Sequence, residues 1–449
     1  MVRPPDRPLR IAFTAYRGNM QCGGQGVYLW FLARELARLG HRVDVFVGPP
    51  YPDPMPFARE VHRLRNQRYW AGWFSPDRRR LIPDPPLRIL HPLEFYELGA
   101  SYLGFLPEPF AFSCRAFSAL SQRLRAGERY DVVHDVQCLG WGLLGLRALG
   151  LPLVTTVHHP LTVDRRSSFL RDESLREAIG TMAFYPVGMQ SAVARRVDRL
   201  FTSSEVSARQ IEADFRVDRS RIRMVANGVD TELFSPDPSV RRDPQEVLCV
   251  GRASDPNKGV ATLVEAIAKL PHARLTLVDD AHPDNGARRR ARALGIEDRV
   301  DVVGRVPIET LLALYRRAAL VAVPSLFEGF GLPAAEAMAC ATPVVATSAG
   351  ALPEVVRTGG GGVLVEPGSA DALARGIGEL LAQPEKRASL GALGRKGVVG
   401  AYSWPSIAAR TANVYREIVA ERRGLPASTT TSAPAGQRRA IASSVSRVR

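Results

Sequence analysis

Short β-branched runs alternate with longer stretches of helical period along most of the chain. "LRIAFTA" (9–15), "HRVDVFVG" (41–48), "YDVVHDV" (130–136), "LPLVTTVHH" (151–159) and "DRLFTSS" (198–204) read as strands. Their near-continuous apolar runs suit a sheet buried on both faces. Between them "GVYLWFLARELARLG" and "SEVSARQIEADF" carry apolar residues three and four apart, the spacing of one helix face. Strands alternating with helices predict βαβ units, a parallel sheet and right-handed crossovers.

The rhythm starts afresh after residue 220. "IRMVANG", "EVLCVGR", "ARLTLVDD", "RVDVVGR", "LVAVPS", "TPVVATS" and "GGVLVEP" read as strands, with "GVATLVEAIAKL", "ETLLALYRRA" and "ADALARGIGELLAQ" as helices. Two successive doubly wound lobes are expected, 1–215 and 222–400, joined near 216–222. Residues 49–112, rich in proline and aromatic side chains, read as a loop-rich insertion. "SWPSIAARTANVYREIVAERR" (403–423) reads as a final helix with Ser403 as N-cap and Pro405 in its first turn, packing back on the N-terminal lobe. The tail 424–449 has no acidic residue and no apolar period, which predicts disorder.

A chain of 449 residues is long enough for two or three domains, each with its own core. The segment 138–157 has nearly the length of a membrane span, but Arg147 and Pro152 interrupt it, so a buried helix and a buried strand are expected instead. No apolar secretory core opens the sequence. The five cysteines are scattered, odd in number and without a C-x-x-C pair, which argues against a disulfide framework or a zinc site and fits a reducing cytoplasm.

The net charge of +15 favours anionic partners: nucleotide phosphates, acidic lipid headgroups or nucleic acid. It fits an Arg-rich solvated surface equally well. No nucleic-acid motif with interleaved aromatic residues accompanies the charge, so no nucleic-acid partner is expected. The aromatic stretch "FYELGASYLGFLPEPFAF" is compatible with peripheral contact with an acidic membrane at its inner face, and equally with a buried loop core.

The chemistry concentrates in "PSLFEGFGLPAAEAMACATPVV" (324–345). Pro333 suits the first turn of a helix through "AAEAMAC", because its missing N–H would have no partner there. The amides of Gly329, Phe330, Gly331 and Leu332 then lie just ahead of a helix N-terminus, a ready site for a phosphate. Glu328 falls at the end of a strand and Glu336 one turn into the helix. A carboxylate accepts two hydrogen bonds in one plane, so the pair suits hydroxyls at either end of a ligand with phosphate in its middle. Glu336 alone could equally be a first-turn carboxylate responding to the helix dipole. Arg252 and Lys258, in the loop "GRASDPNKG" after "EVLCV", are cations at the carboxyl end of a strand, where α/β sheets bind ligands.

These segments resemble the E-x7-E signature of retaining glycosyltransferases of family 4, with the GT-B fold. "VANGVDTELFSP", "VGRASDPNKGVATLVEA", "GALPEVV" and "GGVLVEPGSADALA" follow the family's order and spacing. The resemblance implies an α/β architecture of two Rossmann-like, doubly wound domains facing across a cleft. It also implies transfer of a hexose from a UDP- or GDP-linked sugar to a hydroxyl acceptor, with retention and without metal or other cofactor. It assigns Arg252 and Lys258 to the donor diphosphate, Glu328 to the donor sugar and phosphate, Glu336 to the ribose, and Gly329, Phe330, Gly331 and Leu332 to backbone contacts.

In the N-terminal lobe, Gly23, Gly24 and Gly26 match the family's G-G-x-G segment, Gly24 lying near the transferred sugar. They do not make a dinucleotide fingerprint, since Leu29 takes the third glycine position. The family's single histidine near the reacting sugar aligns best with His158, though His159 follows it. "DDAHPDNGARRR" departs from the family's glycine-rich turn, and Asp279 and Asp280 form no D-x-D metal pair. A same-fold epimerase, a phosphorylase or a silent sugar-nucleotide-binding scaffold are the rival readings.

Overall fold

The computed structural model describes residues 7–20, 24–65, 85–103, 105–158, 162 and 186–424. Gly23, His159 and the tail from 425 lie outside the described residues, as does the disorder expected of that tail.

Two all-parallel sheets carry the molecule. The first holds β1 (Arg10–Ala15), β2 (Arg42–Val47), β3 (Glu60–Arg63), β4 (Val132–Val136), β5 (Leu153–Thr156), β6 (Arg199–Thr202) and β7 (Ile222–Met224) in the order 3-2-1-4-5-6-7. Side chains alternate across it: Ala12 and Val133 enter one core with Phe112 and Leu120, while Ile11, Phe13 and Val132 enter the other with Leu29, Leu32 and Tyr415. Both faces are therefore buried, as the unbroken apolar runs require.

The second sheet holds β8 (Asp243–Val250), β9 (Arg274–Val278), β10 (Val300–Val302), β11 (Ala318–Val323), β12 (Val344–Thr347) and β13 (Gly362–Val365) in the order 10-9-8-11-12-13. It too has a core on each face, Leu248 and Val321 on one side and Val247 and Leu320 on the other. The expected pair of doubly wound lobes is thus what the chain builds.

Two readings of the sequence are corrected. The first places "IRMVANG" in the second lobe, but β7 pairs with β6 and closes the edge of the first sheet. The stretch 49–112 is less irregular than its prolines suggest. It contains β3, the helix Pro92–Tyr102 and the start of the helix Glu108–Arg125, which supplies Phe112, Ala116 and Leu120 to the core. The segment 138–157 forms the expected helix, Gly142–Ala148, and strand, β5. Among the described residues no helix is long and apolar enough to cross a membrane.

The chain passes between lobes twice, and the two crossings lie side by side. Val229 N donates to Tyr402 O at 2.7 Å, and Val229 bridges Ser403. Ser403 occupies the N-cap position of the helix Trp404–Arg422, although its side chain makes no capping bond. A Cβ at Gly228 would lie 2.2 Å from the Trp404 ring, so the first crossing can run against that indole only as glycine. Trp404 in turn stacks on Phe31 (5.4 Å, 4°), fixing the final helix on the first lobe.

Candidate active site

The second sheet reverses its winding between β8 and β11, and ligands of open α/β sheets bind outside the carboxyl ends of strands at such a point. The loops leaving these two strands are "GRASDPNKG" and "PSLFEGFG". They are knitted together: Leu326 N donates to Asn257 O at 2.7 Å. Gly259, at φ +62°, passes so close to the second loop that a Cβ would sit 2.0 Å from Pro324 O. The glycine after Lys258 is therefore what lets the two motifs touch.

Contact of the loops brings the predicted side chains together. Lys258 Nζ lies 2.8 Å from Glu328 Oε2, and the buried Ser325 hydroxyl donates to the same oxygen at 3.2 Å. The backbone of Glu328 is held from behind. Ala351 N donates to its carbonyl at 2.9 Å, and Gly350, at φ +54°, would bring a Cβ within 2.2 Å of that carbonyl.

The helix Leu332–Ala339 begins at Gly331, whose φ of +97° is the left-handed value that glycine adopts without strain, and Pro333 sits in its first turn. Among the described residues the amides of Gly329, Phe330, Gly331 and Leu332 donate to no protein acceptor. Gly329 faces open space, while the Phe330 ring is buried edge-on against Tyr402 (5.4 Å, 85°). Phe330 can thus offer a ligand its backbone and not its ring. Unpaired N–H groups at the positive end of a helix, beside a lysine, make a site for an anion.

Glu336, one turn further, is partly buried and accepts a hydrogen bond from the Tyr315 hydroxyl at 2.8 Å. Burial pushes its carboxyl up to about 7, and the tyrosine bond only partly offsets this. Tyr315, fully buried on the helix Ile308–Arg317, is not among the residues the sequence singles out. The one signal for it is that a half-buried carboxylate needs a donor.

Arg252 is not drawn into this cluster. Its side chain is 68% exposed, with Asp255 at 3.9 Å. The loop that carries it is anchored by buried Asp279, which accepts from Ala253 N at 2.7 Å and from the Asn285 amide at 2.8 Å. Asp279 is thus a structural acceptor. Among the described residues no group of histidine, cysteine, aspartate and glutamate side chains is arranged to hold a metal ion.

The first sheet reverses between β1 and β4, and the N-terminal candidates lie at that edge. Asp135 on β4 is fully buried between Thr14 and Thr155, its neighbours in register. Both hydroxyls donate to it, at 3.1 and 2.9 Å, as do Cys138 N and Leu139 N, each at 3.0 Å. Burial pushes Asp135 up to about 6 despite these four donors.

The turn so held puts Gln137 at φ +55°, and its Oε1 accepts from His158 N at 2.9 Å. The His158 ring meets Tyr28 edge-on at 4.8 Å and 81°. Tyr28 OH pairs with Thr156 Oγ1 at 3.0 Å, and Thr156 with His134 Nε2 at 2.7 Å. His134 is buried and pushed down to about 3, so its imidazole is neutral at physiological pH. Gln137, Tyr28 and Asp135 are invisible to motif reading, because their roles depend on which strands become neighbours.

Gly24 opens the helix Gly24–Arg38 with free space around it, whereas a Cβ at Gly26 would lie 2.2 Å from Asn19 O. Gly26 is thus needed for close packing and Gly24 is the exposed member. The two lobes meet at the Gly329–Leu332 loop: Ser204 Oγ donates to Gly329 O at 3.1 Å, and Ser203 Oγ lies 3.4 Å from the same oxygen.

Comparison with known proteins identifies the family. The family model for glycosyl transferases group 1 matches residues 230–397, and that for Glycosyltransferase Family 4 matches residues 22–233. The MMP alpha-(1->4)-mannosyltransferase of Mycolicibacterium hassiacum is 41% identical over 421 residues, spanning 92% of this chain and 99% of the relative. A D-inositol 3-phosphate glycosyltransferase of Segniliparus rotundus is 32% identical, spanning 88% and 84%. The structure of sucrose-phosphate synthase from Thermosynechococcus elongatus superposes with a TM-score of 0.64 at 27% identity, spanning 92% of this chain and all of that one. With both lobes matched in order and two curated relatives above 30% identity over most of their length, the chain belongs to glycosyltransferase family 4 and has the GT-B fold.

Proposed function

We propose that this glycosyltransferase moves a mannosyl residue from a nucleoside diphosphate sugar, UDP- or GDP-linked, to a hydroxyl acceptor, with retention and without a metal ion. The observation that carries the reading is the Lys258–Glu328 pair at 2.8 Å beside the unpaired amides of Gly329 to Leu332. That cluster suits a diphosphate bridging two sugars. Mannose is taken from the name of the relative that is 41% identical.

In this reading the diphosphate lies along the Gly329–Leu332 amides, with Lys258 against it and Arg252 swinging in from solvent. Glu336, presented by Tyr315, receives the ribose hydroxyls. The bond from the anomeric carbon to the diphosphate breaks, and the acceptor oxygen bonds to that carbon from the same face. The departing diphosphate oxygen takes the acceptor's proton. Lys258, Arg252 and the amides stabilise the charge the leaving group gains. An α-linked mannosyl nucleotide and an α-linked product, the linkage in the relative's name, share one configuration, which is retention. His158, held by Gln137 and Tyr28, lines the side from which the acceptor arrives, and exclusion of water from the cleft favours transfer over hydrolysis. No cofactor is needed, since sugar and leaving group arrive in one molecule.

Thermal stabilisation by UDP-, GDP- and ADP-linked hexoses, with Glu336→Ala beside the natural chain, tests the donor half. A shift with one mannosyl nucleotide, absent in the variant, is expected. No shift with any nucleotide sugar would refute it.

A further inference from the structure

The contact between lobes is built from groups that belong to the donor loop and to the N-terminus of one helix. The helix Glu205–Phe215 starts at the carboxyl end of β6, capped by Ser204, whose hydroxyl oxygen accepts from Ser207 N. Its first two amides are satisfied from the other lobe: Glu354 accepts from Glu205 N at 2.9 Å through Oε2 and from Val206 N at 3.3 Å through Oε1. Glu354 lies in the helix Leu352–Gly359 of the second lobe, immediately after the Gly350–Ala351 turn that holds the Glu328 carbonyl. The hydroxyls of Ser203 and Ser204, both buried, point the other way across the interface onto Gly329 O.

We infer that Glu354, Ser203 and Ser204 are positioning residues that complete the donor loop from the opposite lobe. A peptide group is planar and trans, so fixing the Gly329 carbonyl toward the serines turns the Phe330 N–H the opposite way, among the amides that await the diphosphate. Gly329 has no side chain, nothing lies within 4 Å of the place a Cβ would take, and its carbonyl is held by the two serines. Glu354 holds the serine-bearing turn in place by bonding both leading amides of that helix with one carboxylate, a charge-assisted contact. The donor loop then has its binding shape only when the lobes meet as they do here. Affinity for the donor and the approach of the lobes become one equilibrium.

The inference rests on the proposed donor site, and the test separates the two. Full-length protein carrying Glu354→Ala, or Ser204→Asp, would be compared with the natural chain by titration with GDP and UDP and by small-angle X-ray scattering without nucleotide. Aspartate at 204 still caps the helix but cannot donate to Gly329. Both variants are expected to bind the preferred nucleotide about fivefold or more weakly, the scale of one or two lost hydrogen bonds, and Glu354→Ala is expected to enlarge the radius of gyration. Glu354→Gln, which keeps one acceptor, should fall between. If the natural chain binds nucleotide and both variants bind it equally well with an unchanged scattering profile, the inference is overturned. If the natural chain binds no nucleotide, the donor reading fails, and the scattering of Glu354→Ala alone then decides whether these residues fasten the lobes.

Discussion

Glu336 holds a proton to about pH 7 because the fold removes its carboxyl from water and offers a single tyrosine hydroxyl in exchange. In the unfolded chain the same group ionises near 4.5. Between these values the folded protein binds the extra proton, so Glu336 contributes stability that is complete below 4.5 and is lost as pH rises through 7. The melting temperature of the ligand-free protein should therefore fall from about pH 5 to about pH 7.5 more steeply than that of Glu336→Gln; equal slopes would remove the assignment. Asp135, raised to about 6, acts in the same direction and is common to both proteins, so the difference reports Glu336 alone. The two glutamates and Lys258 are legible from spacing, because one loop and one helical turn fix where they fall, whereas Arg252, equally legible, stands apart in solvent. Tyr315 is not: it stands 21 residues before Glu336 on a helix whose period says only that it faces a core.

At the level of elements, the site depends on two loops lying against each other at glycine. Gly259→Ala meets both a φ of +62° and a contact of 2.0 Å, and should cost about 1–3 kcal/mol of stability. Because the loop must shift off Pro324, nucleotide affinity should fall with it; denaturant unfolding and titration on the same sample check both, and full affinity in a folded variant would contradict the role given to the contact. The final helix makes a second test. Trp404 is 3% exposed between Phe31 and the Gly228 crossing, and Trp404→Ala should destabilise the protein by about 3–5 kcal/mol in urea unfolding. A loss below about 1 kcal/mol would mean the neighbours close the cavity.

Element types are readable where a strand or helix is long and periodic. The two helices that begin within 49–112 escape notice because their prolines look like breakers, yet Pro92 and Pro109 sit in first turns, where proline is tolerated. Strand β7 falls to the wrong sheet because three residues carry no period that names a neighbour.

On the scale of the whole molecule, two doubly wound lobes meet at the Gly329–Leu332 loop, and the chain ties them by paired crossings at Val229 and Ser403. The alternation of strands and helices announces two lobes and which loops hold ligands. It says nothing of the interface, since Glu354 and Glu205 meet across 149 residues only through the way the lobes pack. The central claim is retaining mannosyl transfer at the Lys258–Glu328 cluster. It is tested most directly by incubating the natural chain and Lys258→Ala with UDP- and GDP-mannose and a panel of hydroxyl acceptors, and reading the new anomeric centre by NMR. An α-linked product from the α-linked donor, formed about 100-fold or more slowly by the variant, is the predicted result. A β-linked product, or transfer that Lys258→Ala leaves unchanged, would contradict the account.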